Sequence, residues 1–138
     1  MVKLRLLSDD DLPFLLEVRN DTSTRINLEN DNVFSLDQCK SWFKNLNSSW
    51  YIIENDGEKV GYFRTSGDEV GCDIHPNYRK KGYARSAYDE FLKNKNFATL
   101  WVFEDNFAKN LYLSLGFKPN GEKKTIRERN YIRMIYER

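Results

Sequence analysis

The sequence predicts an α/β (α+β) fold: a mixed sheet of six to seven strands flanked by about four helices. Three observations carry this. Short segments in which apolar and polar residues alternate recur along the chain, with turn signals between them. Other segments place apolar residues at helical spacing. The resulting order, β-α-α-β-β-β-α-β-α-β-β, joins three hairpin-linked strands to a β-α-β unit, which implies antiparallel strands first and a parallel pair at the fourth and fifth.

The first strand rests on Val2, Leu4 and Leu6, which alternate with Lys3 and Arg5. Ser8, Asp9, Asp10 and Asp11 then supply an N-cap and first-turn acidity for a helix. Leu12, Leu15, Leu16 and Arg19 recur at i, i+3, i+4 and i+7, so its apolar face ends near Arg19-Asn20. Residues 20–34 are polar and uneven and read as a loop. Ser35-Leu36-Asp37-Gln38 fits a capping box that opens the second helix, which carries Trp42, Phe43 and Leu46 on one face.

Strands follow. SWYIIE ends at Asn55-Asp56-Gly57, a hairpin signal, and KVGYFRT returns. A turn near Ser66-Gly67-Asp68 leads into EVGCDIH. A third helix runs from about Gly82 to Asn94, TLWVF is the next strand, and NFAKNLYLSLG is a helix closed by Gly116. TIRERNYIRMIYE supplies the final strands. No repeat, linker or low-complexity run interrupts residues 1–138, so a single domain is expected.

Composition narrows the function classes. Hydrophobic residues make up 40% of the 138 and aromatic residues 14%, which suits a packed core. The 22 basic and 21 acidic residues nearly cancel, so no global field favours nucleic acid or a membrane surface. Cys39 and Cys72 form no CxxC pair, which argues against a zinc site or disulfide framework and for a reducing compartment. The start, MVKLRLLSDD, lacks the apolar core of a signal peptide, and a cytoplasmic protein without a resident metal is expected.

Against that neutral background, HPNYRKKGYARSAYDEFL gathers Arg79, Lys80, Lys81 and Arg85 around Gly82 at a helix start. A helix N-terminus offers unpaired amides and positive dipole, which suits phosphate. Gly82 permits close approach of an anion, and Ala84 keeps the next wall small. A solvated basic helix start with a glycine turn is the simpler alternative.

Arg79-Lys80-Lys81-Gly82-Tyr83-Ala84 matches R/Q-x-x-G-x-G/A, the pyrophosphate loop of the GNAT family of N-acetyltransferases. Downstream, VFEDNFAKNLYLSLGF resembles that family's V-x-x-x-N…L-Y-x-x-x-G-F segment, and the element order resembles the GNAT fold over nearly the whole chain. The resemblance implies acetyl-CoA as co-substrate. Its diphosphate would lie on the amides of Lys81, Gly82, Tyr83 and Ala84, beside Arg79 and Arg85. Its arm would pair with the backbone of Ile74 and touch Asn106. Tyr112 matches a tyrosine near the thioester sulfur and is the candidate acid. The step from Asn106 to Tyr112 is one position shorter than is usual.

Transfer to an amine also calls for a proton acceptor, and the family often uses a glutamate on the fourth strand. Glu69 is that candidate, with Asp68, Asp73 and Glu104 as weaker ones. By the period of two, Glu69 and Asp73 share one face, and Val70, Cys72 and Ile74 the other. The acceptor would be a small-molecule or peptide amine, held by the 20–34 loop, the second helix and the last hairpin. Arg25 and Trp42 would suit a nucleotide-linked amino sugar. A non-catalytic acyl-CoA-binding module of the same fold is the alternative, nucleic-acid binding a more distant one. Exposed strands and the C-terminal hairpin are compatible with a homodimer.

Overall fold

The computed structural model describes residues 1–138. One sheet takes in all seven strands: β1 (Val2–Leu6), β2 (Trp50–Asn55), β3 (Glu58–Ser66), β4 (Glu69–Ile74), β5 (Phe97–Phe103), β6 (Lys118–Ile126) and β7 (Arg129–Glu137). Their spatial order is β1-β2-β3-β4-β5-β7-β6. Every neighbouring pair is antiparallel except β4 with β5, which is parallel, as the element order implies. Five helices flank the sheet: α1 (Leu12–Asn20), α2 (Thr22–Arg25), α3 (Leu36–Lys44), α4 (Tyr83–Leu92) and α5 (Ala108–Leu115). None is long and apolar enough to cross a membrane.

Two apolar clusters line the two faces of the sheet. The larger joins Ile53, Phe63, Val70, Leu100, Val102 and Met134 to Ala87, Tyr88 and Leu92 of α4. The smaller joins Ile52 and Tyr62 to Leu12, Leu15 and Val18 of α1 and Cys39 of α3. Ile52 and Ile53 are adjacent and face opposite ways, so strand alternation assigns one to each cluster.

Local signals in the sequence are matched closely. Ser35 accepts from the Gln38 N–H (3.1 Å) while the Gln38 side chain accepts from the Ser35 N–H (2.8 Å), a complete capping box. Gly116 ends α5 in the left-handed region at φ +104°. The structure departs from the sequence reading in three places. Leu46 lies beyond α3, which ends at Lys44 with Asn45 as its cap. Leu6 is exposed, and Leu7 turns into the smaller cluster instead, because the chain leaves the sheet there for a 3-10 turn at Asp9–Asp11. The segment 20–34 is not all loop: α2 forms within it, capped by Asp21, whose carboxylate accepts from the Ser23 N–H (3.0 Å). Side chains from the last hairpin hold the rest of that segment. Arg127 donates to the carbonyls of Leu28 and Glu29, and Arg129 to that of Ile26.

Candidate active site

β4 and β5 pair at a single register position, Glu69↔Thr99, tied by the Thr99 N–H to the Asp68 carbonyl (2.8 Å). Beyond it the strands diverge. The His75 N–H donates to the Val60 carbonyl (2.8 Å), so antiparallel alternation gives the amides of Asp73 and Gly71 to β3. Those of Cys72 and Ile74 therefore point the other way, toward the gap. The gap is a cleft of about 550 Å³ between β4 and β5, walled by the start of α4 and by α5.

The mouth of the cleft is the segment that the sequence singles out. Gly82 stands before α4 at φ +81°, and a Cβ there would meet nothing within 4 Å. The glycine is therefore demanded by its backbone conformation and not by crowding. Lys80 is also left-handed, at φ +63°. The Ser86 N–H is the first to find a carbonyl, that of Gly82 (3.0 Å), and the amides of Gly82, Tyr83, Ala84 and Arg85 have no partner. Two left-handed residues either side of Lys81 thus leave a run of N–H groups beside Lys80 and Arg85, the geometry of a backbone nest.

Of the residues expected in the site, Ile74, Arg79, Gly82, Tyr83, Ala84, Arg85, Asn106 and Tyr112 all line this cleft. Lys80 lines it in place of Lys81. Arg79 is braced: its Nε donates to the Ile74 carbonyl (3.1 Å) and its Nη atoms to Ser23 Oγ (2.6 Å) and Thr24 Oγ1 (2.8 Å). It latches the end of β4 to α2 and occupies the Ile74 carbonyl, leaving the Ile74 N–H and the Cys72 amide groups as the free edge. Arg85 donates to Ser114, linking α4 to α5. Asn106 accepts from the Ala108 N–H (2.9 Å) at the entrance to α5, which leaves its side-chain N–H₂ group free.

Tyr112 packs edge-on against Tyr88 (centroids 5.4 Å) and Phe117 (6.1 Å). Burial pushes its hydroxyl well above the ordinary phenol range, so it stays protonated as a donor. Burial likewise raises the Cys72 thiol, with the Asp73 carboxylate adding to the effect, which removes it as a thiolate nucleophile. His75 is committed elsewhere. Its Nδ1 accepts from the Asn77 N–H and its Nε2 meets Glu17 (both 3.1 Å), and the ring stacks on Phe14.

Glu69 is exposed and lines a separate cavity of about 390 Å³ with Trp42, Trp50 and Thr65. Asp73, on the same face of β4, lies in the cleft itself. The sequence reading did not single out Arg64, which lines both cavities. Its guanidinium lies over Gly71: a Cβ there would come within 2.5 Å of both Nη atoms. Burial works against the Arg64 charge, but Asp73 together with Tyr62, Tyr88 and Tyr131 outweighs it and holds the group protonated. A glycine inside a strand, Gly71, was the available signal, but its pairing with Arg64 emerges only in the β3–β4 register.

The comparisons with known proteins agree with this geometry. A family model described as the acetyltransferase (GNAT) domain matches residues 46–119, more than half of the chain. The chain belongs to the GNAT acetyltransferases. Spermidine N-acetyltransferase from Vibrio cholerae, solved in complex with CoA and spermine, is 22% identical with a TM-score of 0.88, covering 99% of this chain and 95% of that one. Ribosomal-protein-alanine N-acetyltransferase from Brucella melitensis is 22% identical with a TM-score of 0.81, covering 99% of each. A Salmonella typhimurium protein solved with its cofactor acetyl-CoA is 19% identical with a TM-score of 0.77, covering 99% and 94%. No curated protein matches the chain. The structural likenesses share the fold of this chain, and acetyl-CoA as co-substrate fits the family and the cleft.

Proposed function

We propose that residues 1–138 act as one N-acetyltransferase domain, moving the acetyl group of acetyl-CoA directly to a primary amine. One observation carries the reading: a splayed parallel strand pair, β4 and β5, opens onto the unpaired first-turn amides of α4.

The co-substrate supplies an activated acyl thioester; the chain supplies position and protons. The amides of Gly82 to Arg85 bind the diphosphate, with the helix dipole and the nearby cations adding to the attraction. The free edge of β4, at Cys72 and Ile74, receives the amide-bearing arm as an added strand would be received. Arg79 contributes by fixing the end of β4 against α2. Asn106 can donate from its side-chain nitrogen to a carbonyl of the arm. The acceptor ammonium gives its proton to a carboxylate on the far face of β4, where Glu69 and Asp73 both stand. The neutral amine then attacks the acyl carbon as the carbon–sulfur bond breaks. Tyr112, kept protonated by burial, gives its proton to the departing sulfur and is restored by the second proton that the nitrogen loses as the amide forms. Cys72 is held as a thiol, which supports direct transfer over an acyl-enzyme.

The acceptor is a small-molecule or peptide amine, and a nucleotide-linked amino sugar is one such compound. Thiol release from acetyl-CoA over a panel of amines, with calorimetry of acetyl-CoA binding, tests the proposal. Binding with amine-dependent release supports it. Binding without release on any amine supports an acyl-CoA-binding module instead, and no binding removes both.

A further inference from the structure

We infer that Arg64 and Asp73 together select an acceptor carrying an acidic group, a carboxylate or phosphate, close to its reactive amine. The inference rests on the acetyltransferase reading and names the substrate class of that same cleft.

Arg64 forms neither a salt bridge nor a hydrogen bond, although it is half-buried in the wall between the two cavities. Arginine carries five N–H donors in a rigid fork, and none of them is taken up by the protein. The protein has nevertheless made room for it. Gly71 is the register partner of Arg64, and its bare backbone lets the guanidinium lie over the strand. Gly71 has no positive φ, so its backbone does not require glycine, and a Cβ there would instead displace the guanidinium from this position.

Asp73 stands two residues further along the same face of β4, about 7 Å away by strand geometry. Its Oδ2 is fully buried and accepts no hydrogen bond, and the hydroxyl of its register partner Tyr62 is equally unpartnered. These two groups face each other across the strand pair, and of the two only Asp73 lines the cleft, on the same strand face as the unpaired Arg64 fork. One molecule engages both Arg64 and Asp73, which line the cleft. Its ammonium meets Asp73, and its anionic group receives a bidentate fork from Arg64. The separation suits an amine and an acid a few atoms apart, as in an amino acid or an amino-sugar phosphate. Arg64 also disfavours polyamines, because a second ammonium would be placed against the guanidinium.

The test compares thiol release with amino acids, amino-sugar phosphates, nucleotide-linked amino sugars, spermidine and an uncharged amine, in the native protein and in Arg64→Gln and Arg64→Lys. The inference expects acidic amines to be preferred, and expects Arg64→Gln to raise their KM by about 10- to 100-fold with partial recovery in Arg64→Lys. The relative rates within the acidic panel separate carboxylate from phosphate as the recognised group. Acetyl-CoA binding by calorimetry and the thermal midpoint verify that each variant is folded. If the native protein binds acetyl-CoA but prefers spermidine, or if Arg64→Gln leaves the preference unchanged, the inference is overturned while the acetyltransferase reading stands. If the native protein fails to bind acetyl-CoA, the acetyltransferase reading fails first.

Discussion

Gly82→Ala separates the backbone role of this glycine from any packing role. At φ +81° an alanine pays the left-handed penalty of about 1–2 kcal/mol. No atom lies within 4 Å of the new Cβ, so no steric cost is added. A stiffer unfolded chain recovers about 0.4–1 kcal/mol. The net loss is about 1 kcal/mol, which for a chain of this length lowers the unfolding midpoint by about 3–4 °C. Affinity responds more strongly. If the alanine relaxes to negative φ, the peptide planes on either side rotate and their N–H groups leave the nest. Losing one charge-assisted hydrogen bond there costs about 1.5–3 kcal/mol, or roughly 10- to 100-fold in Kd for acetyl-CoA. Calorimetric titration and a thermal melt on the same sample read both effects. A midpoint lowered as expected with Kd unchanged would refute the cradle, since the glycine would then serve only the fold.

Other substitutions probe the acid, the buried ion cluster and the sheet. Tyr112→Phe should lower kcat by about 10²-fold while leaving acetyl-CoA affinity intact, as measured by thiol release and calorimetry. Asp11 accepts from both Nη atoms of Arg5 (2.9 Å each), from Lys59 (2.8 Å) and from the Ser8 N–H (2.9 Å). Burial alone would raise its pKa, but the Arg5, Lys59 and Ser8 bonds together hold it well below the usual carboxylate range. A depressed folded-state pKa contributes stability above the unfolded value of about 3.9 and loses it as pH falls through and below that value. Asp11→Asn should therefore cost about 2–3 kcal/mol at neutral pH, and flatten the fall in thermal midpoint below pH 5; the cost is less than for a fully buried pair because Arg5 is 38% exposed. Gly61→Ala drives a Cβ into the backbone carbonyl of Asp73 and to 3.0 Å from Ile74 Cα in the middle of the sheet, and urea unfolding should show a loss of about 1–3 kcal/mol or more.

What could be read from the sequence was whatever neighbouring residues decide among themselves. The Ser35–Gln38 capping box, the Gly116 stop and the turn at Asp56-Gly57 are set within a few residues, and each stands where the pattern places it. The basic loop was legible for the same reason: four cations, a glycine and a helix start lie side by side in the chain. α2 was not, because Thr22–Arg25 is a single turn with no apolar periodicity. It is held by Arg79 from more than 50 residues away, while the stretch after it is held by Arg127 and Arg129 from about 100. The insertion of β7 between β5 and β6 likewise follows from tertiary pairing that no local pattern encodes. Strand alternation put Glu69 and Asp73 on one face, but which of them enters the cleft depends on where β5 leaves β4. Arg64 over Gly71 needs the β3–β4 register, which only the folded sheet supplies.

The account depends on backbone amides, and these can be observed one by one. Titrating ¹⁵N-labelled protein with CoA should move the resonances of Gly82, Tyr83, Ala84 and Arg85 furthest, together with those of Cys72 and Ile74, along one saturable curve. Saturable binding that leaves these six amides unmoved while others shift would place the ligand elsewhere and contradict the account.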